Sequence, residues 1–254
     1  MRNTRLSRPG ATALVTGASS GIGAATTRLL AHQGFRLVVN SRGGPELDDI
    51  AAETGARPFP LDLTRPGAAE TVHEEVTAAI GTPDLLVCNA GAGWQGPLQQ
   101  MPAETVTQLL RLNVAATVDL VRVFAGDMVD RGSGHLVLVS SIAGNMGVPR
   151  EAAYSASKAA LLGFGQSMRL ELARTGVDIT MVHPGVVDTA FFHRRGSPYQ
   201  HRRPRPIPPQ RVARALLDGA RRGRSEVFVP AWLRFPARLQ GAAPGFVGAI
   251  RRGL

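Results

Sequence analysis

The chain has 254 residues, 44% of them hydrophobic, which is enough to bury the core of one domain. Its single cysteine, Cys88, excludes an intrachain disulfide and a multi-cysteine metal site and suits a reducing compartment. The formal charge of +10 is uneven: residues 1–188 carry 15 Lys/Arg against 17 Asp/Glu, whereas residues 189–254 carry 14 against 2. The arginines of that last quarter, among them Arg194, Arg195, Arg202, Arg203, Arg205, Arg221 and Arg222, come with no aromatic platform or nucleic-acid motif, so they read as a solvated rim. The basic start "MRNTRLSRPG" is followed by "ATALVTGASSGIG", too short and glycine-rich for a signal-peptide core, and no apolar run of about eighteen residues is present to span a membrane. The expectation is a cytoplasmic protein that binds no nucleic acid.

In chain order, apolar β-rich runs occur at "ATALVTG", "RLVVNS", "RPFPLDL", "DLLVCNAG", "GHLVLVSS", "VDITMVHPG" and "EVFVP", separated mostly by longer segments of helical spacing. That rhythm predicts βαβ crossovers and a parallel sheet covered on both faces: an α/β fold of three layers, doubly wound, with seven strands. Ligands of such sheets bind outside the carboxyl ends of the strands, where the strand order reverses. At the end of the first run, "TGASSGIG" carries Gly17, Gly21 and Gly23 into a helical segment. Glycines there let the backbone turn tightly and approach a pyrophosphate seated on the helix N-terminus. A glycine-rich turn with no ligand is the competing reading of that stretch taken alone.

With "TGASSGIG" at 16–23, "NAG" at 89–91, Asn113, "SS" at 140–141, "YSASK" at 154–158 and "PG" at 184–185, the chain resembles the short-chain dehydrogenase/reductase family over residues 10–230. The resemblance implies a single NAD(P)-binding Rossmann domain and a catalytic group of Asn113, Ser141, Tyr154 and Lys158. Ser141 is favoured over Ser140 because the family's serine lies thirteen residues before the tyrosine and three before a glycine, here Gly144. It further implies cofactor contacts from Gly17, Ser19, Ser20, Gly21, Ile22, Gly23, Ser41, Arg42, Asp62, Leu63, Asn89, Ala90, Gly91, Tyr154, Lys158, Pro184, Gly185, Val187 and Thr189. Lys158 would also bond the nicotinamide ribose, and Asn113 would anchor a water that returns the proton. A homodimer or homotetramer through the long helices carrying Asn113 and Tyr154 is implied as well.

The residues support that transfer. Lys158 is the only lysine in the chain, so arginine has been excluded from one position where a slender ammonium is needed. Tyr154 and Lys158, four apart, share one helix face. A fixed cation near a phenol is expected to lower its pKa from about 10 toward working pH and make it an acid and base. Tyr154 would then protonate a carbonyl oxygen held by Ser141 as hydride is delivered to the carbon. A catalytically silent dinucleotide-binding regulator and an NAD-dependent alcohol dehydrogenase working oxidatively are the alternatives. No metal is assigned, and His183 reads as structural.

Cofactor choice rests on "VVNSR": the end of the second strand offers Ser41 rather than an acid, followed by Arg42, with Asn40 as an uncharged donor. Without a carboxylate to repel a 2′-phosphate, and with a guanidinium to pair with it, NADP(H) is expected over NAD(H). The family's pocket walls here contain Trp94, Ser141, Met146, Val148, Phe191 and Phe192, an apolar lining for a hydrophobic ketone or alcohol. Residues 190–208, rich in proline and arginine, read as a mobile lid. The extension 231–254 lacks acids and is interrupted by Pro236 and Pro244. It is expected to serve as a flap or subunit contact ahead of a weak membrane-surface contact.

Overall fold

Short apolar runs with no polar alternation can rest only between two covering layers, and a computed structural model of the chain, which describes residues 4–199, 204–243 and 245, places them so. The strands are β1 (Thr12–Thr16), β2 (Arg36–Ser41), β3 (Arg57–Pro60), β4 (Leu85–Cys88), β5 (Gly134–Val139), β6 (Val177–Pro184) and β7 (Glu226–Val229). They form one seven-stranded sheet in the order β3-β2-β1-β4-β5-β6-β7, parallel throughout. Every residue of β1, β4 and β5 is buried. β3, with Pro58 and Pro60, lies largely exposed at one edge, where a missing N–H is tolerated. All seven expected runs are strands, although β3 stops at Pro60 rather than reaching Leu63.

The helices are α1 (Gly21–His32), α2 (Pro45–Thr54), α3 (Ala68–Ile80), α4 (Ala103–Leu110), α5 (Ala116–Asp130), α6 (Ile142–Asn145), α7 (Ala152–Glu171), α8 (Phe191–Arg194), α9 (Pro209–Arg221) and α10 (Arg234–Ala242). Alternate residues of each central strand feed opposite faces. Ala13, Val15, Val39, Val87 and Val137 join Leu30 of α1 and Leu216 of α9, whereas Leu14, Leu86, Leu136 and Leu138 join Val72 of α3, Phe124 of α5 and Leu161 of α7. The order reverses between β1 and β4, which opens a crevice above their carboxyl ends.

Two departures from expectation bear on the site. Pro236 does not interrupt the extension: it falls in the first turn of α10, where a missing N–H breaks no helical bond. The segment after β6 is not solvated throughout, because Ile207 is buried and pairs with Val187, with Asp188 N–H donating to Ile207 O at 2.9 Å. Residues 200–203 of the expected lid, and Pro244 and residues 246–254 of the extension, lie outside the described residues.

Candidate active site

The chain leaves β1 through Gly17 and Gly21, at φ +63° and +56°, a left-handed conformation that residues with a Cβ rarely adopt. A Cβ on Gly23 would stand 2.1 Å from the Gly17 carbonyl oxygen, so α1 can begin this close to the turn only without a side chain. Asn89 braces the turn from β4. Its Nδ2 donates to the carbonyls of Thr16 and Gly17 at 3.0 and 3.1 Å, and Thr16 Oγ1 accepts from the N–H groups of Asn89 and Ala90. Ser20 occupies the N-cap of α1 without bonding its first N–H groups, which stay available as donors toward an anion. Thr189 roofs the turn, its Cγ2 3.0 Å from where a Cβ of Gly21 would lie. Ser19 and Ile22 are half-buried in this turn. Leu63 and Val187 put their side chains into the two cores, which leaves only their backbones for a ligand.

At the far end of the crevice, Ser41 Oγ accepts from Gly43 N–H at 3.2 Å, and Arg42 is exposed. Asp62 Oδ1 accepts from Thr64 N–H at 2.9 Å and Thr64 Oγ1 at 2.8 Å. The Thr64 backbone bond and then its hydroxyl, with the Arg42 and Arg65 charges, hold the Asp62 carboxyl below the usual range despite partial burial. Asn40 corrects an expectation. It is buried, and its Nδ2 donates to the carbonyls of Phe59 and Leu61 at 3.0 and 3.1 Å, so it ties β2 to the chain around β3 and offers no donor to a ligand.

The four expected catalytic residues converge. Ser141 follows β5, caps α6 by accepting Ala143 N–H at 3.1 Å, and lies near enough to Tyr154 to draw its phenol down. Ser140 instead donates to the backbone carbonyl of Lys158 at 3.0 Å, a structural bond consistent with the choice of Ser141. Tyr154 and Lys158 rise from the first turns of α7, with Lys158 Nζ 6.0 Å from the Tyr154 ring centroid and donating to Val139 O at 2.9 Å. That is the one hydrogen bond of the ammonium among the described residues, so further donor positions are open. Gly91 makes room: a Cβ there would meet Asn113 Oδ1 at 3.1 Å and Lys158 Nζ at 3.4 Å.

Asn113 sits in a π-helical turn, Arg111–Ala115, between α4 and α5. Its Oδ1 accepts from Ala92 N–H at 2.8 Å, and its Nδ2 donates to Ala92 O and to Ser157 Oγ, both at 2.9 Å. Ser157 Oγ in turn donates to Tyr154 O at 2.7 Å. Both amide hydrogens of Asn113 are therefore spent on positioning the Gly91 loop and the first turn of α7, so a water anchored by Asn113 would have to donate to its carbonyl oxygens. The phenol departs from expectation. Burial pushes Tyr154 up to about 12, against the pull of Ser141. Burial pushes Lys158 down to about 8.

Around Tyr154 gathers an apolar cluster of Met101, Leu109, Trp94, Val148 and Phe191. Phe191 lies 5.5 Å from Tyr154, ring to ring, and so close over Gly93 that a Cβ there would stand 2.4 Å from its Cζ. Met146 is half-buried at the end of α6, and Phe192 turns away toward Tyr199 and the Arg195 guanidinium, 4.5 Å from its ring. Arg195 overturns its reading as rim: it is 7% exposed and ion-paired with Glu151, itself 7% exposed, three residues before Tyr154. Its neighbour Arg194 donates to Ser20 Oγ at 2.9 Å. The α8 segment is thus fixed to both the start of α7 and the glycine turn. His183 is buried against Phe228 and within 3.1 Å of Asn145 Nδ2.

Sequence reasoning missed Ser157, Glu151, Arg195, Met101 and Leu109. Only Ser157, inside "YSASK", carried a local signal.

The model for the short chain dehydrogenase family matches residues 11–200. An uncharacterized oxidoreductase of Myxococcus xanthus is 36% identical over 248 residues, covering 95% of this chain and 96% of that one. A short-chain dehydrogenase from Sphingobium yanoikuyae in complex with NADPH superposes with a TM-score of 0.82 at 30% identity, covering 94% and 95% of the two chains. A short-chain dehydrogenase/reductase from Burkholderia phymatum in complex with NAD gives 0.84 at 23% identity over 93% and 94%, a likeness of fold.

Proposed function

Because the chain belongs to the short-chain dehydrogenase/reductase family and is an NAD(P)-dependent oxidoreductase, we propose that it interconverts a ketone or aldehyde and an alcohol on a hydrophobic substrate, with NADP(H) as the preferred cofactor and Tyr154 as the proton donor and acceptor. The observation that carries this reading is the Ser141–Tyr154–Lys158 cluster set beside the glycine turn within an apolar wall. The open α1 N–H groups and the unused donor positions of Lys158 fit a dinucleotide, held at its pyrophosphate by residues 17–23 and Thr189 and at its ribose by Lys158. When bound, the nicotinamide group supplies or accepts the hydride.

The chain's own residues handle the proton. With its phenol at about 12, Tyr154 is neutral near pH 7 and ready to give a proton to a carbonyl oxygen. Ser141 orients that oxygen, and the Lys158 ammonium stabilises the phenolate left behind. Asn113 and Ser157 hold the first turn of α7 so that the phenol and ammonium stay in register. Trp94, Val148, Phe191, Met101 and Leu109 favour an apolar body on the substrate. Exposed Leu110, Val129 and Leu170 on α4, α5 and α7 support a homodimer or homotetramer built on these helices.

NADP(H) is supported by neutral Ser41 and exposed Arg42 where an acid would repel a 2′-phosphate. The test follows nicotinamide absorbance with a panel of bulky ketones and alcohols, comparing kcat/KM for NADPH and NADH in the parent and in Ser41→Asp/Arg42→Ala. The parent is expected to prefer NADPH and the variant to shift toward NADH. Parent preference for NADH, or an unmoved ratio in the variant, contradicts the cofactor assignment, and no turnover with either cofactor across the panel contradicts the enzyme reading.

A further inference from the structure

The last described helix presents an unusual face. Within Ala231–Ala242, Leu233 and Ala237 turn inward and are buried, whereas Trp232, Phe235 and Leu239 are 53%, 62% and 46% exposed. Those three are spaced i, i+3, i+7, so they form one ridge along α10 and the turn before it. Arg234 and Arg238, both exposed, border the ridge, and the Arg234 guanidinium lies 4.8 Å from the Phe235 ring centroid. No acidic residue occurs after Glu226, while Arg251 and Arg252 follow in the sequence. The segment that carries the ridge packs beside the candidate site: Leu233 packs on Gly185, its Cδ1 2.8 Å from where a Cβ would lie, and α10 packs on α6, the helix capped by Ser141.

An exposed aromatic ridge edged by arginines, with no acidic residue after Glu226, suits a lipid interface, where indole and phenyl rings enter the acyl boundary and guanidiniums remain among headgroups. We propose that the Trp232–Phe235–Leu239 face docks the protein on an anionic lipid surface. The charge fixes the kind of surface, since the negative potential of anionic headgroups adds attraction for each nearby arginine, whereas a zwitterionic surface offers none. One consequence rests on the proposed reading of function: a lipophilic substrate dissolved in that surface meets the apolar wall around Tyr154 without crossing bulk water. The docking itself does not depend on turnover.

The test is co-sedimentation of the full chain with vesicles of phosphatidylcholine alone and of phosphatidylcholine with phosphatidylglycerol, at low and raised salt. Three variants accompany the parent: Trp232→Ser/Phe235→Ser, Arg234→Gln/Arg238→Gln and Trp232→Phe. Binding is expected only with phosphatidylglycerol, weakening with salt. Loss of two arginines is expected to lower partitioning on the order of twenty-fold, and loss of both aromatics to abolish it. Vesicles with brominated acyl chains are expected to quench the parent's tryptophan fluorescence and to leave Trp232→Phe largely unquenched. Cooperative thermal unfolding and reductase turnover in detergent, retained in the variants, separate failure of docking from failure of the fold or of the enzyme reading.

Equal binding to both vesicle types, no binding to either, or unchanged binding in the ridge variants overturns the proposal. So does a fall in oligomer mass by light scattering in the aromatic variant, which assigns the ridge to a subunit contact instead.

Discussion

Lys158 shows how much one side chain can be asked to do. Its Nζ must lie between Gly91 and the Val139 carbonyl, a space that admits a slender ammonium and not a planar fork of donors. Lys158→Arg is therefore expected to lower turnover by about a hundredfold or more despite keeping the charge, within the range of general acid–base contributions; turnover near the parent's contradicts the steric argument. The pKa directions give a second prediction. Burial lowers Lys158 to about 8, so the ammonium is present below that value and lost as pH rises through it, while the phenol near 12 stays protonated. The reductive kcat/KM is expected to be level at neutral pH and to fall through about 8 with the loss of one proton. A profile that stays level well above that pH removes the need for a protonated lysine.

At the scale of elements, the pieces that sequence reading missed are joined by contacts remote in the chain. The π turn at Arg111–Ala115 has no proline or glycine to announce it, and Asn113 finds its purpose only where the loop after β4 brings Ala92 alongside. Arg195 looked like one more solvated arginine because its partner lies 44 residues away, at the start of α7. That pair is a latch on α8. Removing one member of a buried ion pair leaves a charge whose burial costs several kcal/mol, on the order of 3–5, and a surface segment can relieve the cost by opening. Arg195→Met is expected to speed proteolysis within 187–199 and to raise KM for an apolar substrate more than it lowers kcat. Glu151→Gln/Arg195→Met is expected to recover part of the protection. Unchanged cleavage in the single variant contradicts the latch.

Across the whole molecule, the sheet was legible because its strands are buried on both faces and therefore read as unbroken apolar runs. The glycine turn was legible because backbone approaches as close as Gly23 to the Gly17 carbonyl admit no other residue. The placement of Ser141, Tyr154 and Lys158 was legible for a related reason: one strand end and one helix face bring them together without help from elsewhere. What remained hidden was the balance of energies inside that cluster. The sequence places a cation near a phenol, but the depth of the site raises the phenol by burial and keeps Tyr154 protonated at neutral pH. The central claim is that this buried phenol moves the proton. The measurement that tests it is Tyr154→Phe, assayed for turnover and, in parallel, for NADPH binding by fluorescence titration. A fall in turnover of about a hundredfold or more with cofactor affinity within a few-fold of the parent's is the predicted result; retained turnover with intact cofactor binding would contradict it.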